Sequence, residues 1–216
     1  FLRENTDNPF ICCEYTHAMG NSNGGMHLYT ELAEEEPRYQ GGFIWDYVDQ
    51  SIRKVENGQE KWLYGGDFDE GATSYYFCAN GIISADRKPQ PSYYEVKKVY
   101  SNLEACDSDC RNGKIIIKNK NLFISTEDYR IHWSLTVDGN EVKNGDIDEI
   151  LEPLTEKEFA LPVSLADYPD GEVIITVTFI LNKDKAWANR LIWPILFIAI
   201  NFGLGMTTFH SLYNVL

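Results

Sequence analysis

The chain lacks a basic patch: Arg87-Lys88 and Lys97-Lys98 are too short to make one. With 33 acidic against 19 basic residues and a formal charge of −14, it repels a nucleic-acid backbone and an anionic membrane surface, so nucleic acid is excluded as a partner. A disulfide framework is missing too. The five cysteines (Cys12, Cys13, Cys78, Cys106 and Cys110) are odd in number and have no paired spacing, which points to a reducing, cytoplasmic compartment. Metal motifs are equally scarce, because Cys106-x-x-x-Cys110 has neither a second pair nor a neighbouring histidine and reads as two free thiols. The start, Phe1-Leu-Arg-Glu, lacks an initiating Met, a basic n-region and an apolar h-region; the expectation is a processed product or a piece of a longer chain. Finally, the 26 residues from Leu191 to Leu216 contain no Asp, Glu, Lys or Arg.

What is present is enough apolar residue, 44% of 216, to build one large core or two ordinary ones. Pro9-Phe-Ile-Cys-Cys13 reads as a short buried strand, Gly24–Glu36 as a helix stopped near Pro37, and Gly41-Gly-Phe-Ile-Trp45 as a second buried strand. That order and spacing predict a parallel strand–helix–strand unit. Its strand ends, with Glu14, Trp45, Asp46 and Asp49, are where α/β folds carry chemistry. A closing helix is expected over Ser92–Leu103, with Tyr93, Val96, Val99 and Tyr100 on one stripe.

From about Lys114 the texture changes to short Ile-, Val-, Thr- and Phe-rich runs at Lys114–Lys118, Leu122–Ser125, Arg130–Val137, Glu156–Leu161 and Glu172–Leu181. Asp138-Gly139-Asn140 is a hairpin signal. Such a series predicts an antiparallel sandwich, with the boundary between the two textures near Ala105–Gly113. The uncharged tail that follows is long enough to span a membrane, and Lys183, Lys185 and Arg190 would then sit on the cytoplasmic side. Pro194, Asn201, Gly203 and Gly205 interrupt it.

Two residues compete as nucleophile in the stretch ICCEYTHAMGNSNGG, residues 11–25. Gly20-Asn-Ser-Asn-Gly24 fits G-x-S-x-G, which would make Ser22 the nucleophile of a serine hydrolase. That motif needs the strand to end at the serine, and here the apolar run stops at Cys13. Glu14, at the C-terminal end of the first strand, would instead point into the mouth of an α/β barrel and could attack an anomeric carbon, as carboxylates do in retaining glycosidases. A lone glutamate in an acidic protein says little by itself.

The surrounding words say more. Asn8-Pro-Phe-Ile-Cys-Cys-Glu-Tyr-Thr-His-Ala-Met-Gly-Asn-Ser-Asn-Gly24, Pro37-Arg-Tyr-Gln-Gly-Gly-Phe-Ile-Trp-Asp-Tyr-Val-Asp-Gln50, Tyr64-Gly-Gly-Asp-Phe68, Phe77-Cys-Ala-Asn-Gly-Ile82 and Ala85-Asp-Arg-Lys-Pro89 resemble, in this order, the large β-galactosidases of glycoside hydrolase family 2. The resemblance implies α/β plus all-β: the C-terminal part of a (β/α)8 TIM barrel over residues 1–104 (strands 7 and 8), then an immunoglobulin-like antiparallel β-sandwich over 105–190. Residues 191–216 are unlike the family. The resemblance further implies that Glu14 is the nucleophile, His17 binds galactose hydroxyls and Trp45 walls the sugar. Phe77 (through its carbonyl) and Asn80 (through its side-chain oxygen) would ligate a sodium ion that meets the galactose 6-hydroxyl. Asp46 and Asp49 belong to the structural Trp-Asp-Tyr-Val-Asp-Gln word and are rejected as the second acid.

A retaining mechanism needs two carboxyl groups about 5–5.5 Å apart. In the family the acid/base glutamate follows an asparagine on the fourth barrel strand, with magnesium ligands nearby, and no such strand-end pair occurs here. The expectation is therefore a β-galactosidase fragment, inactive alone, whose parent is a homo-oligomer hydrolysing β-D-galactosides such as lactose. A non-catalytic carbohydrate-binding module is the alternative of another class. Thr16 stands where the family usually has alanine, and Gln90 replaces a common histidine, which leaves its role open. Three readings of the tail stand: a truncated or frame-shifted coding region, a membrane anchor, or an apolar segment packed on the sandwich.

Overall fold

The computed structural model describes residues 7–164, 167–169 and 171–188, together with the backbone of three short strands, Ile195–Phe197, Ala199–Ile200 and Phe209–His210. Most of the apolar tail, with its membrane-anchor reading, lies outside the described residues. No helix among the described residues is long and apolar enough to cross a membrane. The chain divides into two compact units, Phe1–Tyr100 and Ser101–Leu216.

In the first unit, β1 (Phe10–Tyr15), α1 (His27–Glu35) and β2 (Tyr39–Ile44) form the expected parallel unit. Gly42 permits the close approach of the strands: a Cβ there would lie 2.9 Å from the Cys12 carbonyl oxygen and 3.2 Å from Tyr15 Cδ1. The helix stops one residue before Glu36-Pro37, because proline disfavours helical geometry in the residue before it. The prediction of a fully buried first strand fails, since Ile11, Cys13 and Glu14 are exposed and only Tyr15 is buried. The physical reason is pairing: among the described residues β1 and β2 pair only with each other, which leaves an open edge on each. The small core of this unit gathers Tyr15, Ala18, Met26, Ile82, Ile83 and Val96.

Residues 50–90 add structure that hydrophobic periodicity did not announce. β3 (Ile52–Glu56) and β4 (Gln59–Leu63) make an antiparallel hairpin. Its turn is Asn57-Gly58, with φ of 51° and 77°, the left-handed pair that a two-residue hairpin turn requires. α2 (Pro91–Val99) begins on a proline, whose fixed φ suits a first helical turn, and carries Lys97 and Lys98 in its last turn. It stops four residues short of the predicted Leu103, which instead begins a strand.

The second unit is a sandwich of two antiparallel sheets. One sheet runs β5 (Leu103–Asp109), β6 (Lys114–Asn119), β9 (Thr155–Ala160). The other pairs β8 (Asn140–Ile147), β7 (Tyr129–Val137), β10 (Val173–Leu181) and β11 (Ile195–Phe197). The last places three backbone residues of the tail on the outer edge of β10; the tail also contributes the two-residue strands β12 (Ala199–Ile200) and β13 (Phe209–His210), which pair with each other. Alternation is strict in β10, where Val173, Ile175, Val177, Phe179 and Leu181 are all buried. Val173, Ile175, Val177 and Phe179 meet Ile115 and Ile117 of β6 and Ile131, Trp133 and Leu135 of β7 in one core. The predicted hairpin forms, with Val137 facing Asn140 across Asp138-Gly139.

The predicted strand Leu122–Ser125 does not form. Leu122, Phe123 and Ile124 are exposed, and a buried side chain takes the place of a neighbouring strand: the Asn119 amide donates to the carbonyls of Ile124, Leu151 and Glu152 at 2.9, 3.1 and 3.2 Å. Local side-chain bonds of this kind compete with sheet pairing for backbone groups.

Candidate active site

The C-terminal ends of β1 and β2 are held together past their last formal residues. Trp45 N–H donates to the Tyr15 carbonyl at 3.3 Å, and Ala18 N–H donates to the Trp45 carbonyl at 2.7 Å. These two bonds gather Glu14, His17 and Trp45 at one end of the pair. A third segment joins them, because Asp46 N–H donates to the Asn80 carbonyl at 2.7 Å and Ile82 N–H to the Asp46 carbonyl at 3.0 Å. The rings of His17 and Phe77 then lie 5.7 Å apart, centroid to centroid. All five residues singled out from the sequence thus come from three segments that meet.

Each has its own environment. Glu14 is exposed, on the opposite side of its strand from buried Tyr15, whose phenol is pushed upward by burial and by its hydrogen bond with the Tyr100 hydroxyl. Trp45 is 42% exposed, too open for a core residue. Asn80 is 3% exposed. Its Nδ2 donates to the Phe77 carbonyl at 3.0 Å, while its Oδ1 is buried with no hydrogen-bond partner. An orphaned buried oxygen costs about 1–3 kcal/mol, and a hard cation such as sodium is one way to satisfy it.

The rival residues are occupied elsewhere. The Ser22 hydroxyl donates to the carbonyls of His17 and Met19, and its strand ended at Tyr15, so no strand-to-helix elbow presents it. Asp46 receives the Tyr47 N–H and the Gln50 amide. Asp49 receives Gly81 N–H at 2.8 Å and Gln90 Nε2 at 3.1 Å, and Gln90 also donates to the Gly81 carbonyl at 2.9 Å. This clamp between positions 49, 81 and 90 fixes the segment that carries Asn80, and it gives Gln90 the role that the sequence left open. Only the glycine in Asn80-Gly81 could have hinted at it.

A model described as the TIM barrel domain of glycosyl hydrolases family 2 matches residues 2–105, and one described as β-galactosidase domain 4 matches residues 115–190. The chain belongs to glycoside hydrolase family 2. Similar proteins include a β-galactosidase of Halalkalibacterium halodurans, 43% identical over 88% of this chain and 19% of its own length. Another, from Clostridium acetobutylicum, is 41% identical over 88% of this chain and 21% of its own. The chain therefore spans about a fifth of the length of the curated relatives it matches. A solved β-glucuronidase of Bacteroides uniformis aligns with 90% of this chain and 22% of its own, at 16% identity and a TM-score of 0.29.

Proposed function

We propose that the chain is part of a retaining β-galactosidase, with Glu14 as the nucleophile that attacks the anomeric carbon of a terminal β-D-galactose. The observation that supports this most is the meeting of Glu14, His17, Trp45, Phe77 and Asn80 at the ends of two parallel strands. In the first step a Glu14 carboxylate oxygen bonds to the anomeric carbon as the glycosidic C–O bond breaks. The departing oxygen takes its proton from a second carboxyl group, which this chain does not supply. Water then enters at the anomeric carbon, giving its proton to the same second carboxylate, and releases galactose, with Glu14 leaving as carboxylate.

His17 would hydrogen-bond sugar hydroxyls and Trp45 would stack beneath the ring. A sodium ion would be held by the Phe77 carbonyl and Asn80 Oδ1, and when bound it would supply a positive point of attachment for the 6-hydroxyl. Magnesium, by the same family resemblance, accompanies the acid/base carboxylate. On this reading residues 1–104 contribute strands 7 and 8 of a barrel and residues 105–190 an immunoglobulin-like sandwich. The parent would be a homo-oligomer, and the five free thiols suit a cytoplasmic one.

The test is a chromogenic β-galactoside assay. The 216-residue chain should give no turnover, and within the full-length polypeptide Glu14→Gln should lower kcat by roughly 10³-fold or more while galactose still binds. Near-normal turnover in that variant refutes Glu14 as nucleophile.

A further inference from the structure

Asparagine followed by glycine occurs five times in the chain, at 23–24, 57–58, 80–81, 112–113 and 144–145. Such a pair can attack itself. The glycine amide nitrogen bonds to the asparagine side-chain carbonyl carbon, the C–N bond to the side-chain nitrogen breaks, and ammonia leaves with the amide proton, closing a succinimide ring. Glycine has no Cβ to shield its nitrogen from that approach. Water then opens the ring at either carbonyl and leaves isoaspartate or aspartate. The step runs only where the fold leaves the carboxamide and the glycine N–H unoccupied, wet and able to rotate.

Four of the pairs are held. Gly81 N–H donates to Asp49 Oδ1 at 2.8 Å, and the buried Asn80 amide donates to the Phe77 carbonyl at 3.0 Å. Gly113 N–H donates to the Cys110 carbonyl at 3.0 Å and the Asn112 amide to Asp109 Oδ2 at 2.8 Å. The Asn144 amide donates to Glu141 Oε1 at 2.6 Å, and Gly145 is fixed in the β7–β8 ladder opposite Trp133. Asn23 is buried, away from the water that the reaction needs. The fifth pair differs. Asn57-Gly58 is the exposed tip of the β3–β4 hairpin, and among the described residues no hydrogen bond holds the Asn57 carboxamide or the Gly58 N–H. Ring closure needs the side chain to fold back over its own peptide bond, so the turn must loosen. It can, because β3 and β4 pair only with each other among the described residues, and Ile52–Val55 and Gln59–Lys61 are exposed. A two-stranded ladder with so little buried apolar surface opens at small cost.

We propose that Asn57 is a self-modification site, converted to isoaspartate and aspartate with Gly58 nitrogen as nucleophile and water as co-reactant, while the other four pairs stay intact in the folded chain. The aspartate product keeps the turn, since Asp-Gly suits it as well as Asn-Gly, and adds a negative charge beside Glu56. The isoaspartate product lengthens the main chain at the tip by a methylene, which puts the Glu56–Gln59 pairing out of register. The hairpin thus carries a chemical record of the molecule's age.

The experiment is ageing of the 216-residue chain in mildly alkaline buffer, followed by trypsin digestion and mass spectrometry. Cleavage after Lys54 and Lys61 isolates residues 55–61, with Asn57 inside. That peptide should lose its asparagine roughly tenfold or more faster than the peptides bearing Asn23, Asn80, Asn112 and Asn144, the ratio expected when hydrogen bonds must break or a buried segment must open first. In urea, where no fold protects them, all five should react at comparable rates. Asn57→Gln, whose ring closure is slower, should remove the early mass change and so assign it to position 57. Equal or slower loss at Asn57 in the folded chain overturns the assignment. A lead for Asn57 that persists undiminished in urea does so too, because the local sequence and not the fold would then set the rate.

Discussion

Replacing Gly81 with alanine tests whether the clamp behind Asn80 is as tight as its geometry implies. A Cβ at position 81 would lie 2.2 Å from Asp49 N, 2.4 Å from the Val48 carbonyl carbon and 2.5 Å from the Ile83 carbonyl oxygen. All three are backbone atoms, so no side-chain rotation relieves the overlap, and the two segments must separate by about 1 Å to reach ordinary contact. That movement stretches the bonds to Asp49 Oδ1 (2.8 Å) and from Gln90 (2.9 Å), together with the Asp46–Asn80 backbone bond (2.7 Å). The Asp49 bond involves a charged group and is worth about 1.5–3 kcal/mol, the others about 0.5–1.5 each. Losing the first and one of the others costs about 3 kcal/mol, the upper end of ordinary overpacking. Hydrogen–deuterium exchange of the whole chain reads this directly, because 3 kcal/mol is about a 100-fold or larger rise in exchange rate at Asp46, Ile82 and Ile83. The sandwich amides of β7 and β10 serve as an internal reference and should not change. Unaltered protection at Ile82 and Ile83 would refute the clamp.

Three further outcomes follow from the same geometry. Phe179→Ala, at a fully buried position of β10, should cost the sandwich about 3–5 kcal/mol in urea unfolding; a loss below 1 kcal/mol would mean that the core is not packed as described. The Glu56 carboxyl, lowered from 4.5 to about 2 by Lys54 and Lys61, binds protons less readily in the folded hairpin. Its support is therefore full above pH 4.5 and disappears as pH falls towards 2, and an NMR titration midpoint near 4.5 would contradict that. Sodium at ten times its dissociation constant should add about 1.4 kcal/mol to the stability of the Asn80 segment. The gain, measured by exchange in sodium against choline chloride, should vanish in Asn80→Ala; equal gains in both salts would argue against a sodium site.

The sequence announces elements when burial alternates and falls silent when it does not. β10 and β7 were legible because each second residue enters the core. β3 and β4 were not, since Ile52–Val55 and Gln59–Lys61 are all exposed; the usable signal was the Asn57-Gly58 turn, a stronger cue than the strands themselves. β5 escaped notice because only Leu103 and Ala105 of Leu103–Asp109 are buried, and Cys, Asp and Ser say little about strands. Leu122–Ser125 misled in the opposite sense: apolar residues without a pairing partner stayed outside the sheets. In the candidate site, the roles given to Glu14 and Trp45 came only from the family resemblance, but their strand-end positions could be read locally. The link from Asp49 to Gln90, 41 positions along the chain, could not, because nothing local marks a side-chain bond between distant segments.

The buried side-chain atoms without partners are distributed unevenly. Among the described residues they belong to Thr16, Asn23, Tyr39 and Asn80, all in the first unit, and the sandwich has none. The two regions therefore differ in how much sequence change they can absorb. A substitution in the sandwich draws on a region whose polar groups are already satisfied, so it can accumulate conservative replacements before folding suffers. Around Asn80 the margin is thinner, and a destabilising change there would need a compensating stabiliser first. In an evolving lineage, the β-domain would drift while the site-bearing segments stay close to their present residues.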